Sequence, residues 1–108
     1  MTRSTLARLL EHRGHTVAAV SNVAAAREKA AAGDYDLVIS DLGLPDGDGH
    51  ELMAGLRDAY GLPGIALSGY GMDEDLARTK DAGFLAHLVK PIDFERLNRV
   101  IDQIGHAA

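Results

Sequence analysis

The sequence predicts an α/β fold, with a mostly parallel sheet that carries helices on both faces. Helix-like and strand-like stretches alternate along the 108 residues and are joined by short loops. The apolar run Leu37-Val38-Ile39, closed by Ser40 and bounded by acidic residues, is typical of a strand buried on both faces. The length and an apolar share of 46% suit one modest core, so residues 1–108 are expected to form a single domain.

In the first half of the chain, apolar spacing and glycine stops define the elements. Helices are predicted over 5–11, where leucines recur at helical spacing before Gly14, and over 24–32, an alanine-rich stretch stopped by Gly33. Strands are predicted over 16–20, which is Thr-Val-Ala-Ala-Val, and over 37–40. Residues 42–49 contain glycines and a proline and are predicted to form a loop.

The second half repeats the alternation. Strands are predicted over 64–68 and 86–89, and helices over 50–60, over 73–82 with an acidic first turn, and after Asp93, which can cap the last helix. Five apolar residues form one face of that last helix and are expected to be core: Phe94, Leu97, Val100, Ile101 and Ile104.

Composition excludes several classes of function. The chain has a net charge of −5 and no clustered Lys/Arg stripe, which disfavours nucleic-acid binding. It has 0 Cys, so disulfides and thiolate metal sites are excluded. No apolar run is long enough to span a membrane, and the first 15 residues are too polar for a signal peptide, so a cytoplasmic protein is expected.

Polar residues directly follow three of the predicted strands. Asp41 follows the 37–40 strand, Ser68 ends the 64–68 strand and Lys90 follows the 86–89 strand. Because ligands of parallel α/β sheets bind beyond the carboxyl ends of the strands, these side chains are expected to converge. A nucleophilic carboxylate, a hydroxyl donor and an ammonium group together suit phosphoryl chemistry.

The segment Asp41-Leu42-Gly43-Leu44-Pro45-Asp46-Gly47-Asp48-Gly49 resembles the phosphoacceptor loop of response-regulator receiver domains. The spacing from Asp41 to Ser68 and on to Lys90-Pro91 matches the family's pattern. The resemblance extends from Leu6 to about Ile104 and implies a flavodoxin-like three-layer sandwich. The stretch 67–71, Leu-Ser-Gly-Tyr-Gly, is most similar to receivers attached to hybrid sensor kinases.

The resemblance implies a role for each matching residue. Asp41 would be the phosphoacceptor, Ser68 the hydroxyl that follows the phosphoryl group on activation, and Lys90 the partner of a phosphoryl oxygen. His87 stands at the family's switch position, and Gly43 would offer its backbone carbonyl to Mg²⁺. The Lys90–Pro91 peptide bond would be cis, an isomer that is accessible chiefly before proline.

The sequence departs from the family at its start. The family's first strand, which is central and ends in two acidic residues, has no counterpart before the helix predicted at residues 5–11. The resulting gap could be closed by pairing of strand 16–20 with strand 37–40 or by self-association. With Asp41 and the Gly43 carbonyl as the remaining ligands, Mg²⁺ binding is expected to be weak and phosphorylation slow or absent.

The leading hypothesis is a non-enzymatic phosphoacceptor module that takes a phosphoryl group from a histidine kinase or phosphotransfer protein. Its switching surface would comprise helix 73–82, the His87 strand and the last helix. The alternative is a receiver-like interaction module that is not phosphorylated. A phosphatase that uses Asp41 as nucleophile is less favoured, because Gly43 occupies the position where such enzymes place a second acid. A flavodoxin-like nucleotide-binding protein is disfavoured because no G-x-G-x-x-G motif follows a strand.

Overall fold

The structure, a computed structural model, describes residues 3–44, 46–69 and 76–107. Within these ranges helices and strands alternate. The elements, in chain order, are α1 (Arg3–His12), α2 (Val23–Ala32), β1 (Val38–Asp41), β2 (Gly43–Leu44), β3 (Gly47–Asp48), α3 (Gly49–Tyr60), β4 (Gly64–Ser68), α4 (Leu76–Asp81), β5 (Phe84–Val89) and α5 (Phe94–Ala107).

The principal sheet has the strand order β1-β4-β5, and both pairings are parallel. β1 pairs with β4 from Val38 opposite Gly64 to Asp41 opposite Leu67, and Ser68 of β4 lies opposite Val89 of β5. A second ladder, β2 with β3, is a short antiparallel hairpin that follows β1 directly. The register brings the carboxyl ends of all three principal strands to one edge of the sheet.

Helices cover both faces of this sheet, as the sequence predicts. One hydrophobic cluster joins the sheet to α2 and α3 and includes Leu52, Met53 and Phe84. The other joins the sheet to α1 and α5 and includes Leu10, Ile65 and Leu97. The predicted apolar face of the last helix packs in this second cluster, which confirms that face as core. Met53, Ile65 and Leu97 are almost completely buried.

Most predicted elements are confirmed, and local chemistry explains where the helices start. The side chain of Asn22 accepts a hydrogen bond from the Ala25 N–H and caps α2, while Asp93 accepts from the Glu95 and Arg96 N–H groups and caps α5 as predicted. α4 is described from Leu76 to Asp81. The earlier part of that predicted helix, and Tyr70 and Gly71 of the loop before it, lie outside the described residues.

Two sequence predictions for the first half are wrong. Residues 16–20 form no strand, and their proposed pairing with 37–40 does not occur, since β1 pairs with β4. A strand needs a neighbour to satisfy its backbone, and in the described part of the chain nothing pairs with this segment. The predicted loop 42–49 instead contains the β2–β3 hairpin and the first residue of α3.

Candidate functional site

The three residues predicted to carry the chemistry stand at the same edge of the sheet. Asp41 ends β1, Ser68 ends β4 and Lys90 comes immediately after β5. The Lys90 N–H donates a 2.8 Å hydrogen bond to the Ser68 carbonyl, which extends the β4–β5 pairing by one residue. The Lys90–Pro91 peptide bond is cis. The sheet thereby fixes the backbone from which each of the three side chains projects.

Asp41 and Lys90 form an ion pair. The Lys90 Nζ lies 2.5 Å from Asp41 Oδ1, and the two side chains are 43% and 35% exposed, respectively. Asp41 Oδ1 itself is shielded from solvent, so the exposed part of the carboxylate is on the Oδ2 side. One oxygen of Asp41 is therefore held against a cation while the other remains accessible.

Ser68 is joined to His87 rather than to the ion pair. The two residues lie on neighbouring strands, and His87 Nε2 is 2.8 Å from the Ser68 hydroxyl oxygen. Ser68 is 1% exposed, whereas His87 is half-buried. The hydroxyl thus has a partner, and a ligand at Asp41 would compete with His87 for it.

The hairpin after β1 is packed closely against the start of α3. Gly43 lies in β2 opposite Asp48 of β3, and the Gly49 N–H donates a 2.9 Å hydrogen bond to the Leu42 carbonyl. A Cβ at Gly49 would overlap the Asp41 carbonyl oxygen and would lie 2.9 Å from the Leu42 Cα. The small residue at position 49 therefore permits α3 to begin directly beside Asp41.

Asp46 caps α2 from a distance in sequence. Its carboxylate accepts hydrogen bonds of 2.7 and 3.1 Å from the N–H groups of Val23 and Ala24. These two bonds, that from Val23 first, hold the pKa of Asp46 below its ordinary value. The carboxylate also faces the positive end of the α2 dipole, so Asp46 is a structural cap in this arrangement.

Asp48 belongs to a polar cluster that connects α3 with α4. Its carboxylate accepts from the His50 N–H at 2.8 Å and from His50 Nδ1 at 2.9 Å, and it pairs with Arg78. Partial burial acts to raise the pKa of Asp48, but the hydrogen bonds from His50 and Arg78 outweigh it and leave that pKa below its ordinary value.

The imidazole of His50 also contacts α4. Nε2 of His50 lies 3.0 Å from the hydroxyl oxygen of Thr79, within hydrogen-bond distance. Thr79 is 5% exposed. The sequence offered no signal for this connection, because Thr79 and His50 are distant in sequence and neither belongs to a recognisable motif.

The residues present do not form a good magnesium site. In the described part of the chain, no group of three or more His, Cys, Asp or Glu side chains could hold a metal ion. One oxygen of Asp41 contacts the Lys90 ammonium group. The carboxylate of Asp46 is bound to backbone N–H groups of α2, and that of Asp48 is bound to His50 and Arg78. A hard divalent ion would find one available carboxylate here, a poor fit for Mg²⁺.

Comparison with known proteins decides the family. The family model of the response regulator receiver domain matches residues 1–102. The chain belongs to this family. An uncharacterised 14.6 kDa protein of Leptolyngbya boryana is 33% identical over 105 residues, which are 94% of this chain and 80% of that protein.

Solved structures agree with this assignment. A two-component response regulator from Clostridium difficile superimposes with a TM-score of 0.88 at 27% identity, covering 95% of this chain and 85% of that one. A Burkholderia pseudomallei response regulator with a phosphorylated aspartic acid, calcium ion and citrate gives 0.79 at 30% identity, covering 87% of this chain and 56% of that one. The receiver assignment and the flavodoxin-like α/β fold are therefore confirmed, and the chain is a module of two-component signalling.

The matched region is only a part of many relatives. In the KDP operon transcriptional regulatory protein KdpE of Escherichia coli, 42% identity over 69 residues covers 64% of this chain but 31% of that protein. The matched part of the chain thus spans about a third of this regulator. Among the described residues, no helix is long and apolar enough to cross a membrane.

Proposed function

We propose that this receiver accepts a phosphoryl group on Asp41 from a histidine kinase or a phosphotransfer protein. The observation that carries the proposal is the Asp41–Lys90 pair, in which one carboxylate oxygen faces an ammonium group and the opposite side of the carboxylate is exposed. The exposed oxygen would attack phosphorus, the P–N bond of the phosphohistidine would break, and the imidazole would leave with that electron pair.

Lys90 would stabilise the transferred group. The ammonium group already lies within contact distance of the carboxylate, so it can pair with a phosphoryl oxygen without a long movement. Ser68 would supply a further donor, but its hydroxyl is held by His87 and must exchange that bond for one to the phosphoryl group. This exchange gives His87 its proposed role as a switch residue.

Phosphorylation is proposed to be slow, and Mg²⁺ binding weak. Transfer onto a carboxylate brings negative charges together, and a divalent cation would offset the repulsion. The Asp41 carboxylate and the Gly43 backbone carbonyl would provide too few ligands to hold such an ion tightly. Titration with Mg²⁺ should accordingly give a dissociation constant well above that of a site with two or more free carboxylates.

A second candidate function follows from the small number of metal ligands beside Asp41. A receiver that keeps the fold but has too few ligands for Mg²⁺ could act as an interaction module without being phosphorylated. Its partner surface would comprise α4, β5 with His87, and α5. Self-association is a further partner proposal, because β1 is an edge strand in the described part of the chain. A cytoplasmic location is proposed to accompany any of these roles.

Comparison of three proteins separates the two candidates. Wild type, Asp41→Asn and Asp41→Glu would be incubated with a phosphohistidine donor protein and then tested for partner binding. The phosphoacceptor proposal expects phosphoryl gain and altered binding in the wild type alone. Equal binding by all three proteins, with and without donor, would establish the interaction module instead.

A further inference from the structure

His87 and Ser68 lie on the same face of the sheet. His87 is opposite Ala66 of β4, which is two residues before Ser68, and alternate residues of a strand point to the same face. Ala86 and Leu88 pack in the cluster with α1 and α5, so the imidazole of His87 projects from the other face. There His87 Nε2 is 2.8 Å from the Ser68 hydroxyl oxygen.

The Ser68 hydroxyl has one hydrogen to donate and is buried, since the residue is 1% exposed. Buried hydroxyl groups almost always have a hydrogen-bond partner. In the part of the chain that the structure describes, that partner is His87 Nε2. A neutral imidazole that carries its hydrogen on Nδ1 accepts from the hydroxyl through Nε2. This form of His87 therefore satisfies the serine hydroxyl in the unphosphorylated site.

Protonation of His87 would reverse this hydrogen bond. An imidazolium carries a hydrogen on both nitrogens and can only donate, so the Ser68 hydroxyl would have to direct its own hydrogen elsewhere. Asp41 ends the neighbouring strand, where it is opposite Leu67, the residue before Ser68. A phosphoryl group on Asp41 would be an acceptor on that side. Two hydrogen bonds would then run in series, from Nε2–H to the serine oxygen and from the serine hydroxyl to the phosphoryl oxygen.

The surroundings of His87 permit a change of charge. The residue is half-buried and lines a groove of about 260 Å³ together with Lys80 of α4. The Lys80 ammonium group disfavours a second positive charge there, and the Asp41–Lys90 ion pair lies beyond the serine. A phosphoryl group would add up to two negative charges and favour the imidazolium. Histidine is the side chain that ordinarily changes charge between about pH 5 and pH 8.

We propose that His87 is a positioning residue for Ser68, and that protonation of His87 frees the serine hydroxyl to bond a phosphoryl group on Asp41. Neutral His87 holds the hydroxyl, whereas charged His87 donates to it and releases its hydrogen. The freed hydroxyl adds a donor during phosphoryl transfer, so transfer is faster at pH 6 than at pH 8. This effect on transfer rests on the proposed function, while the hydrogen bond in the unphosphorylated chain does not.

The first measurement is nitrogen-15 NMR of the imidazole in the full chain without a phosphodonor. His87→Gln identifies the His87 signals by their loss. At pH 8 the inference expects the Nδ1–H tautomer in the wild type, and loss of that preference in Ser68→Ala. A hydrogen on Nε2 of the wild type at pH 8, or an unchanged preference in Ser68→Ala, would overturn the inference.

The second measurement is the rate of phosphoryl incorporation from a small phosphodonor with Mg²⁺, followed by intact mass at pH 6 and pH 8. The ratio of the two rates is compared between proteins, so that the donor's own pH dependence cancels. The ratio should be at least threefold higher in the wild type than in His87→Gln, whose amide can bond the hydroxyl but does not change charge. The matched control His12→Gln replaces an exposed histidine of α1 and should keep the wild-type ratio.

Together the two measurements separate this inference from the proposed function. Equal rate ratios in the wild type and His87→Gln would overturn the inference and leave phosphorylation of Asp41 standing. Absence of phosphorylation at both pH values would refute the proposed function, and the tautomer in the free chain would still decide whether His87 holds Ser68. If His87→Gln fails to fold, Ser68→Ala replaces it, because a chain without the hydroxyl should show the same reduced ratio.

Discussion

At the scale of single residues, three aspartates that are close in sequence have different contacts. Asp41 stands against Lys90 at the sheet edge, whereas Asp46 caps α2 and Asp48 holds His50. In the described part of the chain, Asp41, Asp46 and Asp48 therefore do not form a shared cation site. The cap that Asp46 provides to α2 and the ion pair of Asp48 with Arg78 join residues far apart in sequence, so local patterns do not predict them.

The cap made by Asp46 predicts a pH-dependent contribution to stability. Because folding lowers the pKa of Asp46, its stabilisation is complete above the ordinary value of 3.8 and is lost as pH falls through the lower folded-state value. Asp46→Asn should therefore reduce stability at neutral pH and flatten the acid limb of the unfolding curve. Thermal melts between about pH 3 and pH 7 measure this.

Asn22→Ala is the matched control, because it removes the other cap of α2 without removing a titrating group. It should lower stability by about 1 kcal/mol at every pH. If Asp46→Asn retains the acid sensitivity of the wild type, the assigned cap is wrong.

Lys90 provides the second prediction at this scale. Replacing it with Met keeps much of the side-chain volume but removes the charge beside Asp41. Phosphoryl incorporation from a small phosphodonor should slow by about 100- to 1000-fold, as for loss of one electrostatic donor. Lys90→Arg retains the charge and should lose less; equal rates in all three proteins would exclude a role for Lys90 in transfer.

At the scale of elements, the sequence predicted helices better than strand pairing. Helical spacing and capping residues are local, so α1, α2, α3 and α5 were predicted close to their observed bounds. Strand 16–20 was predicted from its local sequence, yet a strand forms only with a neighbour that satisfies its backbone groups. The β2–β3 hairpin was missed because the sequence of residues 42–49, with its glycines and proline, is typical of a loop.

The start of α3 depends on a close approach that only glycine permits. In Gly49→Ala the new Cβ would meet the backbone at Asp41 and Leu42, which cannot yield as a flexible side chain can. Stability should fall by about 1–3 kcal/mol in chemical denaturation. Gly55→Ala is the control, because its Cβ would meet only the end of the Arg27 side chain at 3.9 Å; equal effects of the two substitutions would refute the close packing.

The His50–Thr79 contact should couple α3 to α4. Thr79→Val removes a buried hydroxyl that bonds His50 Nε2, at a cost of about 1–2 kcal/mol. A double-mutant cycle with His50→Phe should give a coupling energy of about 1 kcal/mol, measured by urea denaturation. Simple additivity of the two substitutions would mean that the hydrogen bond contributes nothing.

At the scale of the whole molecule, β1 has a neighbouring strand on one side only in the described part of the chain. A groove of about 670 Å³ lies beside β1 and is partly open to solvent, so water can occupy it. The sequence predicted a gap beside the 37–40 strand, but the shape and the lining of the groove depend on how the helices pack.

The fold and the alignment of strand ends were thus predictable, whereas the partners of each site residue were not. The positions of the strand ends could be predicted because each apolar run stops at a polar residue, and parallel strands bring those residues to one edge of the sheet. That Lys90 contacts Asp41 while Ser68 contacts His87 depends on side-chain positions across three strands. Those contacts determine how the proposed switch would operate.

The most direct test of the account is to locate the phosphoryl group. After incubation with a small phosphodonor and Mg²⁺, the acyl phosphate would be trapped by borohydride reduction, and the modified residue would be identified by peptide mass spectrometry. The account predicts slow modification at residue 41 in the wild type and none in Asp41→Asn. Modification of another residue, or of none after prolonged incubation, would contradict it.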